Sequence, residues 1–339
     1  MDGPPNQHLK VNVYGRIDER WKPNDRPRSI PLGWPAMEAL EGAHHLLVEN
    51  HVSFDIISRA TDEALSGYRV LIVPDEVYLS PEEAEAIAKF VEGGGGLIAS
   101  YRSSLYDWDG SLRSDFALGE VYGVSFYGFS PYSINYINNL TAGCESKYPH
   151  MPLLIKDKAL QVKAAEGVDV LATLTYPAVE TKPYRHVYHQ HAHPAFKTDL
   201  PIIVYNTYGD GRCVYIAAPV EKEFRKNRYS WFRTIYADAL RRVLPNPRVE
   251  VLGPLSIVTS LMKREGRLII HLLDYRYEKT GIVEEFYETR DVTIRVRTKK
   301  PRRIVTHPGE RELEWIERNG AIEFRVPPFN MYTAVVIET

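Results

Sequence analysis

The stretch YRVLIVPDEVYLSPEEAEAIAKFVEGGGGLIAS, residues 68–100, constrains the fold more than any other part of the chain. It opens on an apolar run without polar alternation, the pattern of a strand covered on both faces in a parallel sheet. A helix with punctuation at both ends follows. Ser80 stands at the N-cap, Pro81 at the first helical position, acids fill the first turn and glycines close the helix. The strand GLIAS (96–100) comes next, so the unit reads as two parallel strands joined by a helical crossover. Upstream, LKVNVYG (9–15) alternates like a strand. WPAMEALEGAHHLLVENH (34–51) carries Met37, Leu40, Ala43, Leu46 and Leu47 at helical spacing, and VSFDII is a short strand. The order β-α-β-β-α-β predicts an α/β fold with a doubly wound parallel sheet, whose ligands would bind beyond the carboxyl ends of the strands.

The remainder divides by pattern. Residues 16–33 are polar, proline-rich and loop-like, and the segment 119–200 is less regular. Within it, DVLATLTY (169–176) and RHVYHQHAHPAF (185–196) read as strand material broken by turns. LPIIVYNTYGDGRCVYIAAP (200–219) is a hairpin turning at Tyr208–Gly211. One amphipathic helix is expected over 221–243, with Phe224, Trp231, Ile235, Ala239 and Leu240 inward. After Pro247 only short strands between turns remain, which predicts an antiparallel β-sandwich. The expected domains are 1–246 and 247–339.

Charge and cysteine usage exclude several classes. A formal net charge of −2 carries no footprint for nucleic acid or an anionic membrane. Cys144 and Cys213 fit no zinc, redox or disulfide pattern. The opening MDGPPNQHLK lacks an apolar signal core, and no apolar run reaches the ~18 residues of a membrane span. A reducing, cytoplasmic setting is expected. The 22 tyrosines and five tryptophans stand out because many lie in loop-like segments, where aromatics line sugar or protein contacts or fill domain seams.

LSGYRVLIVPDEVYLSPEEAEAIAKFVEGGGGLIASYRS, with FALGEVYGVSF, HPAFKTDLPIIVYNTYGDGRCVYIAAP, VEVLGPLSIVTSLMKREGRLIIHLLDY and VPPFNMYTAVVIE, resembles the trimerisation domain and the following β-domain of family 42 β-galactosidases and fucosidase-like relatives. The likeness covers about residues 10–339. It implies a flavodoxin/amidotransferase-like sheet of the class I glutamine-amidotransferase kind, followed by the β-sandwich. In those hydrolases a (β/α)₈ barrel of about 250 residues carries the catalytic carboxylates, and here the first strand begins close to Met1. The resemblance therefore implies a non-catalytic, oligomerising or accessory part of a glycoside hydrolase, of β-galactosidase or fucosidase type. A homo-oligomer, a trimer by the family's name, and a separate catalytic barrel subunit would be its partners. No cofactor or metal is expected.

Three clusters could carry chemistry. The first is the turn Ser100-Tyr101-Arg102-Ser103-Ser104 after the strand GLIAS. Amidotransferases place a cysteine on such an elbow, with backbone N–H groups forming an oxyanion hole. Here neither a cysteine nor a Gly-x-Ser-x-Gly pattern is present, so Ser100 and Tyr101 form a degenerate elbow. The alternative is an independent hydrolase using Ser100 or the histidine cluster. In that cluster, HVYHQHAHP, His186 is followed by His189, His191 and His193, which share one face of an extended strand. Their spacing of about 6.5–7 Å is wide for three ligands of one ion. A plain loop and a partner-facing role stay open, and in the resembling hydrolases this face lies near the catalytic mouth. The third cluster is LYDWDG, where Asp107 and Asp109 flank Trp108, with Asp115 beyond. It is ordinary turn composition and also a possible sugar contact. Arg102, Tyr106 and Trp108, together with His189, His191 and His193, are the candidate substrate contacts, a carbohydrate-binding module being a further alternative.

Overall fold

The computed structural model describes residues 11–14, 34–75, 78–107, 110–141, 148, 151–180, 192–275 and 287–339. They form two compact units. One gathers Asn12–His44 and Ile56–Leu244, the other His45–Asp55 and Pro245–Thr339.

The chain begins with β1 (Val11–Tyr14), α1 (Trp34–Glu49), β2 (Phe54–Ile57), α2 (Asp62–Leu65), β3 (Val70–Val73), α3 (Pro81–Glu92) and β4 (Gly96–Ser100). Apart from the short α2, this is the order the sequence predicts. The start of α3 is a capping box: the Glu83 N–H donates to Ser80 Oγ at 3.3 Å, and the Ser80 N–H donates to Glu83 Oε2 at 3.1 Å. Both β3 and β4 are buried along their whole length, as their unbroken apolar runs require. In α1, Leu40, Ala43, Leu46 and Leu47 are buried, but Met37, expected inward, is 41% exposed. Periodicity reports which face of a helix is apolar, not how far the covering layer extends along it.

The next elements are α4 (Gly119–Tyr122), β5 (Val124–Phe129), β6 (Asn135–Asn138), β7 (Leu153–Ile155), β8 (Leu160–Ala164), β9 (Asp169–Pro177), β10 (Pro194–Tyr208), β11 (Gly211–Ile216), α5 (Val220–Asn227) and α6 (Ser230–Val243). One nine-stranded sheet has the order β2-β1-β3-β4-β11-β10-β9-β6-β7. Strands β3, β4 and β11 run parallel, whereas β11, β10, β9, β6 and β7 pair antiparallel. The sheet is therefore mixed rather than all-parallel. The tight turn between β10 and β11 can join only antiparallel neighbours, and the segment that read as irregular supplies the strands beyond it. The single helix expected over 221–243 is two. Arg228, at φ +51°, closes α5 by donating its N–H to Phe224 O, and Tyr229 is extended before α6 restarts. Phe224, Ile235, Ala239 and Leu240 are buried as expected, whereas beside the break Phe232 is fully buried and Trp231, expected inward, is half-buried.

The C-terminal strands are β12 (Val249–Leu252), β13 (Ile257–Arg264), β14 (Arg267–Asp274), β15 (Glu288–Thr289), β16 (Val292–Val296), β17 (Arg303–His307), β18 (Arg311–Glu312), β19 (Ile316–Arg318), β20 (Ala321–Val326), β21 (Phe329–Asn330) and β22 (Tyr332–Glu338). They build two antiparallel sheets, β12-β16-β20-β19 and β13-β14-β22-β17-β18, besides the small pair β15-β21. One hydrophobic cluster joins Ile294 and Phe324 of the first sheet to Ile270, Leu272, Ile304 and Val335 of the second. Strand β16 shows the rule: Val292, Ile294 and Val296 are buried, while Thr293 and Arg295 alternate outward.

Candidate functional site at the carboxyl ends of the parallel strands

Strands β3, β4 and β11 end side by side, and the residues just beyond them form the candidate site. Asp75 lies two residues past β3. Ser100 is the last residue of β4. Glu221 sits in the first turn of α5, shortly after β11, where a carboxyl complements the helix dipole.

The turn after β4 is strained and tightly held. Tyr101 has φ +50° and Ser104 φ +64°, a region that disfavours L-residues by about 1–2 kcal/mol each. The Tyr101 N–H donates to Ile216 O at 2.7 Å, and its carbonyl accepts from the Tyr215 hydroxyl at 2.6 Å. Ser103 Oγ lies 2.6 Å from Ser100 O and 2.8 Å from Val73 O, sharing one hydrogen between them. Tyr101 and Ser104 thus both take the left-handed conformation just beyond β4.

No side chain of the turn offers an open nucleophile. Ser100, Ser103 and Ser104 are each 0% exposed, and Tyr101 is 5% exposed. The Ser100 hydroxyl donates to Glu221 Oε2 at 2.6 Å, and the Tyr236 hydroxyl donates to Glu221 Oε1 at 3.1 Å. Burial pushes the Glu221 carboxyl up to about 7, against the opposing pull of the Ser100 hydrogen bond. Asp75 is also buried, and desolvation raises it to about 6 even though Arg102 favours its charged form. Its Oδ1 accepts from Arg102 Nε at 3.3 Å. A serine sealed from solvent, its hydroxyl donating to a buried carboxylate, ties the end of β4 to the first turn of α5 and presents no exposed oxygen as a nucleophile.

The rim is aromatic. The Arg102 guanidinium lies 5.0 Å from the Tyr101 ring centre and 5.8 Å from that of Tyr106. Tyr106 meets Tyr78 edge to face at 5.5 Å. The structure thus brings Ser100, Tyr101, Arg102 and Tyr106 together. Asp107 pairs with Arg113 at 3.1 Å and accepts from the Gly110 N–H at 2.9 Å, as a turn residue does. Asp115 Oδ1 accepts the N–H groups of Phe116 and Phe126. Trp108, Asp109, His186, His189, His191 and Cys144 lie outside the described residues. His193 is exposed, and its carbonyl accepts from the Ala178 N–H at 2.9 Å. Among the described residues no group of three His, Cys, Asp or Glu could hold a metal ion. Cys213 is fully buried, and desolvation raises its thiol far above the usual range.

Sequence reasoning missed Asp75 and Glu221. The available signal was an acid just beyond an apolar strand, in LIVPD and in YIAAPVE, where a buried strand end leaves a carboxyl no route to water.

Residues 17–239 match the family model of the β-galactosidase trimerisation domain. The chain belongs to this family. As a trimerisation-domain protein it is also similar to solved structures. An α-L-fucosidase isoenzyme 2 from Paenibacillus thiaminolyticus is 23% identical with a TM-score of 0.80, covering 98% of this chain and 49% of that one. A β-galactosidase from Bacillus circulans sp. alkalophilus is 17% identical with a TM-score of 0.61, covering 97% of this chain and 41% of that one. At these identities the likeness is one of fold, and the trimerisation-domain chain spans half or less of the length of either enzyme. No curated protein matches it. Among the described residues no helix is long and apolar enough to cross a membrane.

Proposed function

We propose that this chain is the oligomerising, non-catalytic part of a glycoside hydrolase built like the β-galactosidases and α-L-fucosidases it is similar to. The observation that carries the reading is the closed elbow: a member of the trimerisation-domain family keeps the strand-end turn but seals Ser100 against Glu221. In this reading, residues 1–246 form a doubly wound, amidotransferase-like domain and 247–339 a β-sandwich. The parallel set β3-β4-β11 and the helical crossover through α3 support the first assignment. Copies of the chain associate as a homo-oligomer, a trimer by the family's name, and a catalytic barrel supplies the reacting carboxylates. Arg102, Tyr106, Trp108, His189, His191 and His193 then face carbohydrate at that barrel, in a cytoplasmic setting.

Light scattering and native mass spectrometry of the purified chain test the association, and aryl β-galactosides and aryl α-L-fucosides test for turnover. The expected result is a homo-oligomer that releases no aryl alcohol. A monomer, or turnover abolished by replacing one carboxylate of this chain, would overturn the proposal.

A further inference from the structure

A second aromatic surface lies away from the elbow, on the two-stranded sheet β5-β8 and the neighbouring strands β9 and β10. Tyr127 is 61% exposed, and the Lys163 ammonium stands 4.2 Å from its ring centre. Gln161, two residues before Lys163 on β8, donates from Nε2 to the Tyr176 hydroxyl at 2.5 Å. The Tyr176 ring meets that of Tyr132 at 5.1 Å, and across the β9-β10 ladder Tyr176 stands opposite Phe196, which is 56% exposed. These contacts form one continuous platform: Tyr127, Lys163, Gln161, Tyr176, and then Tyr132 and Phe196.

The backbone makes room for it. Strand β5 carries a bulge between Phe126 and Gly128, and bulges re-aim side chains. A Cβ on Gly128 would stand 3.3 Å from Gln161 Oε1, so the glycine lets the amide lie across the strand. Tyr127 and Phe196 are exposed while Tyr132 and Tyr176 are half-buried, and exposed aromatics grouped in this way mark binding surfaces.

The polar groups identify the occupant. Gln161 commits one Nε2 hydrogen to Tyr176, which leaves its second amide hydrogen to donate and its Oε1 to accept. The Tyr176 hydroxyl accepts that bond, which leaves its hydrogen to donate. Among the described residues Lys163 has no carboxylate partner. The exposed parts of the Tyr127 and Phe196 rings, edged by uncommitted donors and acceptors, complement a neutral pyranose, which has an apolar C–H face and a rim of hydroxyls that both donate and accept. A flat protein partner would have to bury the Lys163 charge, which needs a matching acid. Lys163 also lines a cleft of about 770 Å³ with Asp115, Glu120, Ser125 and Asn206, giving a longer glycan room to continue.

We infer that the platform of Tyr127, Gln161, Lys163 and Tyr176 is a binding site for neutral pyranose sugars, separate from the strand-end elbow. It goes beyond the oligomeric role and does not depend on it.

The test is saturation-transfer NMR and calorimetry on the full chain, with lactose and methyl α-L-fucopyranoside at millimolar concentration. Binding by the wild type is expected, and Tyr127→Ala, Gln161→Ala and Tyr176→Phe should each weaken it about tenfold. Tyr332→Ala, an exposed aromatic in the C-terminal unit, should leave it unchanged. Tyr176→Phe keeps the ring and removes only the hydroxyl, which is both the donor offered to the sugar and the acceptor of the Gln161 bond, so it remains informative if a truncation fails to fold. Absence of binding by the wild type, or binding indifferent to all three substitutions, overturns the inference. A platform variant that lowers the oligomer mass and leaves sugar affinity intact overturns it too, in favour of a protein interface. A wild type that is monomeric and binds sugar removes the oligomeric reading and leaves this one standing.

Discussion

The substitution Glu221→Gln should make the protein more stable at alkaline pH than the wild type, and the gain should vanish in acid. The carboxyl is 0% exposed, and burial holds it up to about 7 in the folded chain, against an ordinary value of 4.5. Between these two values the unfolded chain releases the proton while the folded chain retains it. The folded state therefore binds more protons, and stability falls as pH rises through this window. Each pH unit of the gap is worth about 1.4 kcal/mol, so the loss is on the order of 3 kcal/mol once the pH exceeds 7. The glutamine amide cannot ionise and can still bond to Ser100 and Tyr236, so the variant escapes that loss. Asp75 is present in both proteins, and its own titration largely cancels in the comparison. Urea unfolding of both proteins at pH 5 and pH 8 measures the difference. We expect it to grow by roughly 2–3 kcal/mol in favour of the variant at the higher pH. A difference that stays constant with pH, or that grows toward acid, would refute the reasoning.

Other substitutions probe different links. Gly42→Ala would place a Cβ 1.9 Å from the backbone oxygen of Glu221; backbone cannot yield as a flexible side chain does, so we expect a loss of at least about 3 kcal/mol or failure to fold, read by thermal melting. Ser80→Ala removes one half of the capping box and should lower stability by about 1 kcal/mol, with Ser80→Asp recovering most of it in denaturant titration. Arg102→Ala strands the buried Asp75 carboxyl and should destabilise the chain by about 2–4 kcal/mol at pH 8, and by less at pH 5, where Asp75 takes up a proton; equal losses at both pH values would count against the ion pair.

Much of the fold was legible because local signals agreed with it. Ser80, Pro81 and Glu83 mark the start of α3 through hydrogen bonds made within four residues. The unbroken apolar runs of β3 and β4 announce strands buried on both faces. The break between α5 and α6 was hidden because the residue in the left-handed conformation is Arg228 rather than a glycine, and Trp231, beside the break, is the inward assignment that fails while Ile235, Ala239 and Leu240 hold. In the site, the turn Ser100–Ser104 could be located from the strand before it. Its closure could not, since the group that seals Ser100 is 121 residues further along the chain.

By itself, the sequence determined the strand–helix–strand core, the change of pattern near Pro247 and the presence of a turn after β4, since each rests on periodicity and caps acting over a few residues. Tertiary structure alone decided that the sheet is mixed and that Asp75, Ser100 and Glu221 meet out of water. It alone also set Tyr127, Gln161 and Tyr176 on one surface. Those outcomes depend on which strands become neighbours, and strand pairing is chosen by the packing of the whole core rather than by any segment's own propensity.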